Sequence, residues 1–174
     1  MKRAYLGDSY DAVKRLWSAT FAEWAPLYAE SGFVPKELHS DYERLTRIPL
    51  LRDRRPEAYA ILNDPDTGVY HPARVSQRVT RSHASLDLIC MQLADPSVRC
   101  VVTFDQSTLR SPGTPALNQR AAKLAWLKES GLFAFYYASH APFLFAFGSE
   151  HALAQTRRRL EKQGIPGTRF QYAE

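Results

Sequence analysis

The chain has only two cysteines, Cys90 and Cys100, in 174 residues. Two thiols do not make a disulfide framework, so a reduced, cytoplasmic protein is expected. No apolar run approaches the ~18 residues that a membrane-spanning helix needs, so no membrane partner is expected. The N-terminus MKRAYLGDSYD reaches Asp8 after a short apolar stretch and reads as a first strand, not a secretory leader. There is no internal repeat, low-complexity tract or domain boundary in the composition. Apolar residues at 45% and charged residues at 24% exclude a disordered chain, a collagen and a coiled coil. A domain of about 150 residues buries roughly 70% of its unfolded surface, so a core forms without a metal or disulfide staple. The expectation is one domain over 1–174.

Acid is missing locally, and that says more. Between Asp66 and Asp87 there is none, but there are Arg74, Arg78 and Arg81. Between Asp105 and Glu129 there is again none, but there are Arg110, Arg120, Lys123 and Lys128. These two windows hold seven of the 23 bases, which leaves 16 bases against 18 acids elsewhere. The whole surplus of +5 therefore sits in two windows, each directly after an acidic element. A basic surface beside carboxylates suits a nucleic acid or nucleotide, whereas solvated helix faces would give the same count. The triplet Arg157-Arg158-Arg159 reads as a solvated face of a late helix.

Periodicity predicts strands over 3–7, 58–63 and 99–104, and two aromatic strands over 132–137 and 142–147. It predicts helices over about 10–24, 83–94, 115–130 and 149–163, with Asp8 or Ser9, Ser82, Thr114 and Ser149 at their starts. A short helix fits near 36–45, and 169–172 reads as an edge strand. The four prolines within 25–56 make that segment hard to read. The alternation argues for an α/β fold, a three-layer Rossmann-like and mostly parallel sheet, with room for a C-terminal aromatic hairpin around Ala138-Ser139-His140.

Ligands of such sheets bind beyond the carboxyl ends of the strands. All three early predicted strands end in acid: Asp8, then Asp64 and Asp66, then Asp105. If the strands are parallel neighbours, these carboxylates converge and need a cation, and hard oxygen ligands select Mg²⁺ or Mn²⁺. Such a metal polarises a phosphoryl oxygen and activates water. Asp8, Asp64, Asp66 and Asp105 are then metal ligands, and Asp8 and Asp105 are catalytic with His140 as an acid or positioning group. Arg74, Arg78, Arg81 and Arg110 hold phosphates. Taken singly, Asp8 also reads as a helix cap, Asp64 and Asp66 as turn residues, and Asp105 as a loop residue. DPDTG begins like a calcium loop, but Pro65 and the missing later ligands break that pattern. Cys90 and Cys100 read as core.

The acids after strands resemble those of the PIN-like and NYN-like nucleases over about residues 3–137. The resemblance implies a first acid at Asp8, a later one at Asp105, and metal-dependent phosphodiester hydrolysis. GDS at 7–9 resembles the first block of the SGNH hydrolases, and Asn63-Asp64 their asparagine block. That resemblance implies Ser9 as nucleophile, Gly7 and Asn63 in an oxyanion hole and a histidine base. However, Ile61 stands where the family has glycine, and the late histidines, His140 and His151, lack the family's Asp-x-x-His setting. GDSYD, NDPDTG, VTFDQS and SHAPFLFAF together resemble a small bacterial protein family, which implies a bacterial cytoplasmic setting and no particular chemistry. The leading expectation is a Mg- or Mn-dependent phosphodiesterase or nuclease. Its rivals are a non-enzymatic partner-binding or regulatory α/β module and an SGNH-type esterase.

Overall fold

The computed structural model describes residues 6–52, 56–70, 80–107 and 116–173, the side chains of 116 and 117 excepted. Its helices are α1 (Ser9–Phe21), α2 (His39–Thr46), α3 (Leu86–Leu93), α4 (Ala116–Glu129) and α5 (Glu150–Lys162). Its strands are β1 (Leu27–Ala29), β2 (Tyr59–Asn63), β3 (Gly68–Val69), β4 (His83–Ala84), β5 (Val98–Phe104), β6 (Phe133–Tyr137), β7 (Phe143–Phe147) and β8 (Phe170–Tyr172).

Six strands form one mixed sheet in the order β1-β2-β5-β7-β6-β8, while β3 and β4 form a separate parallel pair. β1, β2 and β5 run parallel; β7 is antiparallel to β5 and β6, and β8 is antiparallel to β6. The sheet is therefore only partly parallel, which corrects the expectation of a mostly parallel one. The physical reason is the link of five residues, 138–142, between β6 and β7. A parallel crossover needs a dozen or more residues, so a link this short forces a hairpin.

Side chains alternate along the central strands. Ala60 and Leu62 of β2 pack with Trp17 and Phe21 of α1, Tyr42 of α2 and Leu160 of α5. Tyr59 and Ile61 pack with Ile89 of α3 and with Leu124 and Leu127 of α4. The aromatic hairpin fills the first of these cores. The Trp17 indole meets Tyr137, Phe143 and Phe145 edge-on at 5.1, 5.6 and 5.3 Å, the edge-to-face arrangement that ring quadrupoles favour.

The strand expected over 3–7 does not reach residues 6 and 7. Leu6 and Gly7 form a turn, with Gly7 at φ 84°, and residues 3–5 lie outside the described set. The edge strand is instead Leu27–Ala29, inside the proline-broken stretch, paired with Ala60–Leu62. Ser85, not Ser82, starts α3: its hydroxyl accepts the Leu88 N–H at 3.1 Å, while His83 and Ala84 belong to β4. Ser149 caps α5 as expected, through the Ala152 N–H at 3.2 Å. The helix start at Thr114-Pro115 lies outside the described residues. Among the described residues no helix is long and apolar enough to cross a membrane.

Candidate functional site

β2 and β5 are parallel neighbours with Asn63 opposite Thr103, so Asp64 and Asp105 leave the same sheet edge side by side. The sequence places both acids at strand ends, and the structure makes the two strands neighbours. Each meets a buried lysine.

Asp105 is completely buried, as is its partner Lys123, whose Nζ lies 2.7 Å from Oδ2. The Tyr136 hydroxyl donates to the same oxygen at 2.7 Å. Oδ1 accepts the Val69 N–H at 3.0 Å and the Ser107 N–H at 3.2 Å. A carboxylate offers about four lone-pair sites, and these four donors fill them. The Ser107 hydroxyl lies within reach of both Oδ1 and the Val69 carbonyl. Lys123 is saturated too, since it also donates to the Val69 carbonyl at 2.8 Å and to Ser107 Oγ at 2.9 Å. Burial pulls the Lys123 pKa below the ordinary lysine value, and the Asp105 charge opposes this without cancelling it. Burial pushes the Tyr136 phenol well above its usual range, and Asp105 adds to that. Gly68 makes the contact with β3 possible. A Cβ there would lie 2.2 Å from Asp105 Oδ1, and φ is 139°.

Asp64 belongs to a second cluster. Lys14 Nζ lies 2.6 Å from Asp64 Oδ2 and 2.9 Å from Asp11 Oδ1, with side chains 5%, 4% and 1% exposed. Burial alone would lower the Lys14 pKa, but the Asp64 and Asp11 carboxylates outweigh it and hold the value above normal. The buried Tyr42 ring lies 5.6 Å from Nζ. Burial, then the Asp64 and Asp11 charges, push its phenol well above the usual range.

The other expected site residues do not join these two clusters among the described residues. Asp8 caps α1, accepting the Tyr10 and Asp11 N–H groups at 2.9 and 3.3 Å. Asp66 is half-buried, and its N–H donates to the Arg81 carbonyl at 3.1 Å. Arg81 is exposed; Arg74, Arg78 and Arg110 lie outside the described residues. His140 is exposed on the β6–β7 turn, with its ring 5.9 Å from Tyr10. Of the remaining bases in the second window, Lys123 is internal and Arg120 is buried, donating to Gln171 at 2.9 Å. Only Lys128 of that window is exposed among the described residues.

Among the described residues no group of three or more His, Cys, Asp or Glu side chains could hold a metal ion. Protein donors meet both Asp105 oxygens, and Lys14 meets Asp64 Oδ2. Ser9 is an exposed first-turn residue, and no hydrogen bond joins it to a histidine among the described residues. The Asn63 amide is committed to a reciprocal pair with Gln92 at 2.8 and 2.9 Å.

Lys14, Asp11, Tyr136 and Gly68 escaped sequence reasoning, and Lys123 is counted there only as a base of the second window. A signal existed for the lysines. Lys14 shares the helical stripe of Trp17 and Phe21, and Lys123 that of Leu124 and Leu127. A cation in register with apolar positions marks a buried ion pair. Comparisons with protein-family models, curated proteins and solved structures found no match, so the chemistry of this edge rests on the chain's own geometry.

Proposed function

We propose that the chain is a partner-binding α/β module whose ligand is a phosphate-bearing polyanion, a nucleic acid or nucleotide. The site is the carboxyl edge of β2 and β5. In a Rossmann-like reading of the parallel half, this edge is where ligands sit. One observation carries the proposal. Asp105, Lys123 and Ser107 tie Val69 to the end of β5, so the acid-free stretches with Arg74 and Arg78, and with Arg110, start from one hydrogen-bonded root. The buried charges of the described residues are three acids (Asp11, Asp64, Asp105) and three bases (Lys14, Arg120, Lys123). They cancel, so the net +5 resides in the rest of the chain. In this reading the strand-end acids are structural.

A second reading, the Mg- or Mn-dependent phosphodiesterase, is favoured by Asp64 and Asp105 ending adjacent parallel strands. It requires Lys14 and Lys123 to release those acids to a metal shared with Asp8 and Asp66, with His140 nearby.

The test is binding of a labelled single-stranded RNA across a salt series. Three or four phosphate contacts give a log–log slope of about −2 to −3. Arg78→Ala with Arg81→Ala should flatten it. No binding at low salt removes the proposal, and EDTA-sensitive cleavage abolished by Asp8→Asn establishes the second reading in its place.

A further inference from the structure

We infer that the corner between α1 and the end of β2 is a cation site whose occupant is the chain's own Lys14 ammonium, and that a free divalent cation takes its place once Lys14 is shortened. The inference does not rest on the polyanion reading.

Lys14 Nζ bridges carboxylates from two elements, Asp11 of α1 and Asp64 beyond β2, at 2.9 and 2.6 Å. The position is that of a bound cation, except that the cation is tethered. The charge is under-matched, since two carboxylates face one ammonium. A second, independent group points into the same place. The Tyr42 side chain is fully buried, feels the charges of both acids with Asp64 the stronger, and its hydroxyl meets no partner at hydrogen-bond distance and angle. A buried hydroxyl without a partner is uncommon and calls for an explanation. Two carboxylates and a phenol oxygen are hard donors, the set that Mg²⁺ and Mn²⁺ prefer. A divalent ion would neutralise both acids, where the ammonium neutralises one.

In the wild type the tether decides. An intramolecular group acts at an effective concentration of the order of millimolar or more, and the nearly complete burial of Lys14 holds it in place. Free metal in the same range must displace it and leave it buried without a partner. Removing the side chain beyond Cβ opens a hole at the position of Nζ and leaves the two acids uncompensated.

The test is thermal unfolding of the wild type, Lys14→Ala and Lys14→Ala/Asp64→Asn in millimolar MnCl₂ or MgCl₂, against NaCl of equal ionic strength. Lys14→Ala should melt below the wild type in NaCl and recover by about 5–10 °C in MnCl₂, the shift for a ligand at 100 times its dissociation constant in a chain of this size. The wild type should not respond, and Asp64→Asn should abolish the recovery. An equal response of wild type and Lys14→Ala, or none in Lys14→Ala, overturns the inference. If Lys14→Ala does not fold in NaCl, it is refolded from urea with and without MnCl₂. Recovery only with the divalent ion supports the site, and failure with both ions overturns it.

Discussion

The two buried lysines at the carboxyl edge solve the same problem with different numbers. Lys14 faces two carboxylates, and its pKa ends above the ordinary value despite burial. Lys123 faces one carboxylate and its pKa ends below, with the Arg120 charge pushing in the same direction as burial. Desolvation disfavours each ammonium, and the count of opposing charges sets the sign of the outcome. The redundancy differs too. If Asp64 is lost, Lys14 keeps Asp11. If Asp105 is lost, Lys123 keeps only neutral oxygens, from Val69 and Ser107.

The largest expected effect breaks this comparison directly. Asp105→Ala leaves a buried ammonium without its counter-charge and strips acceptors from Tyr136, Val69 and Ser107. It should cost about 3–5 kcal/mol, the usual range for removing one partner of a buried pair. Asp64→Ala should cost about 1–3 kcal/mol, because Asp11 still compensates Lys14. Urea unfolding of both variants decides, and equal losses would show that the second acid at Lys14 gives no protection.

Gly68→Ala attacks the Asp105 cluster alone. Its Cβ would sit 2.2 Å from Oδ1, so the carboxylate or the β3 backbone must move. The expected loss is about 1–3 kcal/mol, from overpacking and positive-φ strain. In an Asp105→Ala background the clash with the carboxylate should vanish, while the 2.8 Å approach to the Asp105 Cα and the backbone strain remain. A double-mutant cycle reads that difference. Full additivity would mean that the backbone approach and the positive φ, not the carboxylate, are what require glycine.

The smallest effect is a slope. A pKa raised by folding means that stability is fully present below the unfolded value and is lost as pH climbs through the folded one. Lys14 therefore contributes a falling slope above about pH 10.5, and Tyr42 and Tyr136 contribute one above about pH 10. Lys123 has the opposite sign: its lowered pKa makes stability rise with pH between that value and 10.5. Each group contributes at most about 1.4 kcal/mol per pH unit. Urea midpoints between pH 9 and 11 should fall less steeply in Lys14→Met and more steeply in Lys123→Met than in the wild type. Slopes moving in the same direction in both variants would refute the contrast.

Much of the architecture was legible in the sequence. RCVVTF reads as a covered strand because β-branched residues fill it, and the structure extends it only to Val98. The pair FAFYY and FLFAF reads as a hairpin from its short link. Ser149 and Gly164 bracket α5 because each has a local chemical reason, a hydroxyl cap and a positive φ of 87°. β1 was not legible, since three residues between Pro26 and Glu30 carry no period. Of the strand expected over 3–7, Leu6 and Gly7 turn instead of extending, because a glycine before a helix cap readily takes a positive φ.

The site divides in the same way. That Asp64 and Asp105 sit at strand ends followed from strand and turn signals, whereas the pairing of those strands is a finding of the structure. What the two acids bind did not follow, because Lys14 is 50 residues from Asp64 and Lys123 is 18 residues past Asp105. The signal that could have shown the pairing is the two lysines on apolar stripes.

The sheet's borders have a consequence for the behaviour of the protein in crowded solution. β2 and β7 are buried at every position, and such strands would readily recruit other chains if exposed. They lie inside the sheet, and its two borders are strands of three residues, β1 and β8. At the β1 border Ala29 is bridged by Leu50, which takes up hydrogen bonds that a foreign strand would need. At the β8 border the strand is preceded by Pro166 and a one-turn helix over Gly167–Arg169, so few consecutive backbone groups are offered. Short borders around apolar interior strands protect against edge-to-edge association, and here they let an aromatic-rich sheet stay folded without becoming a template for its own aggregation.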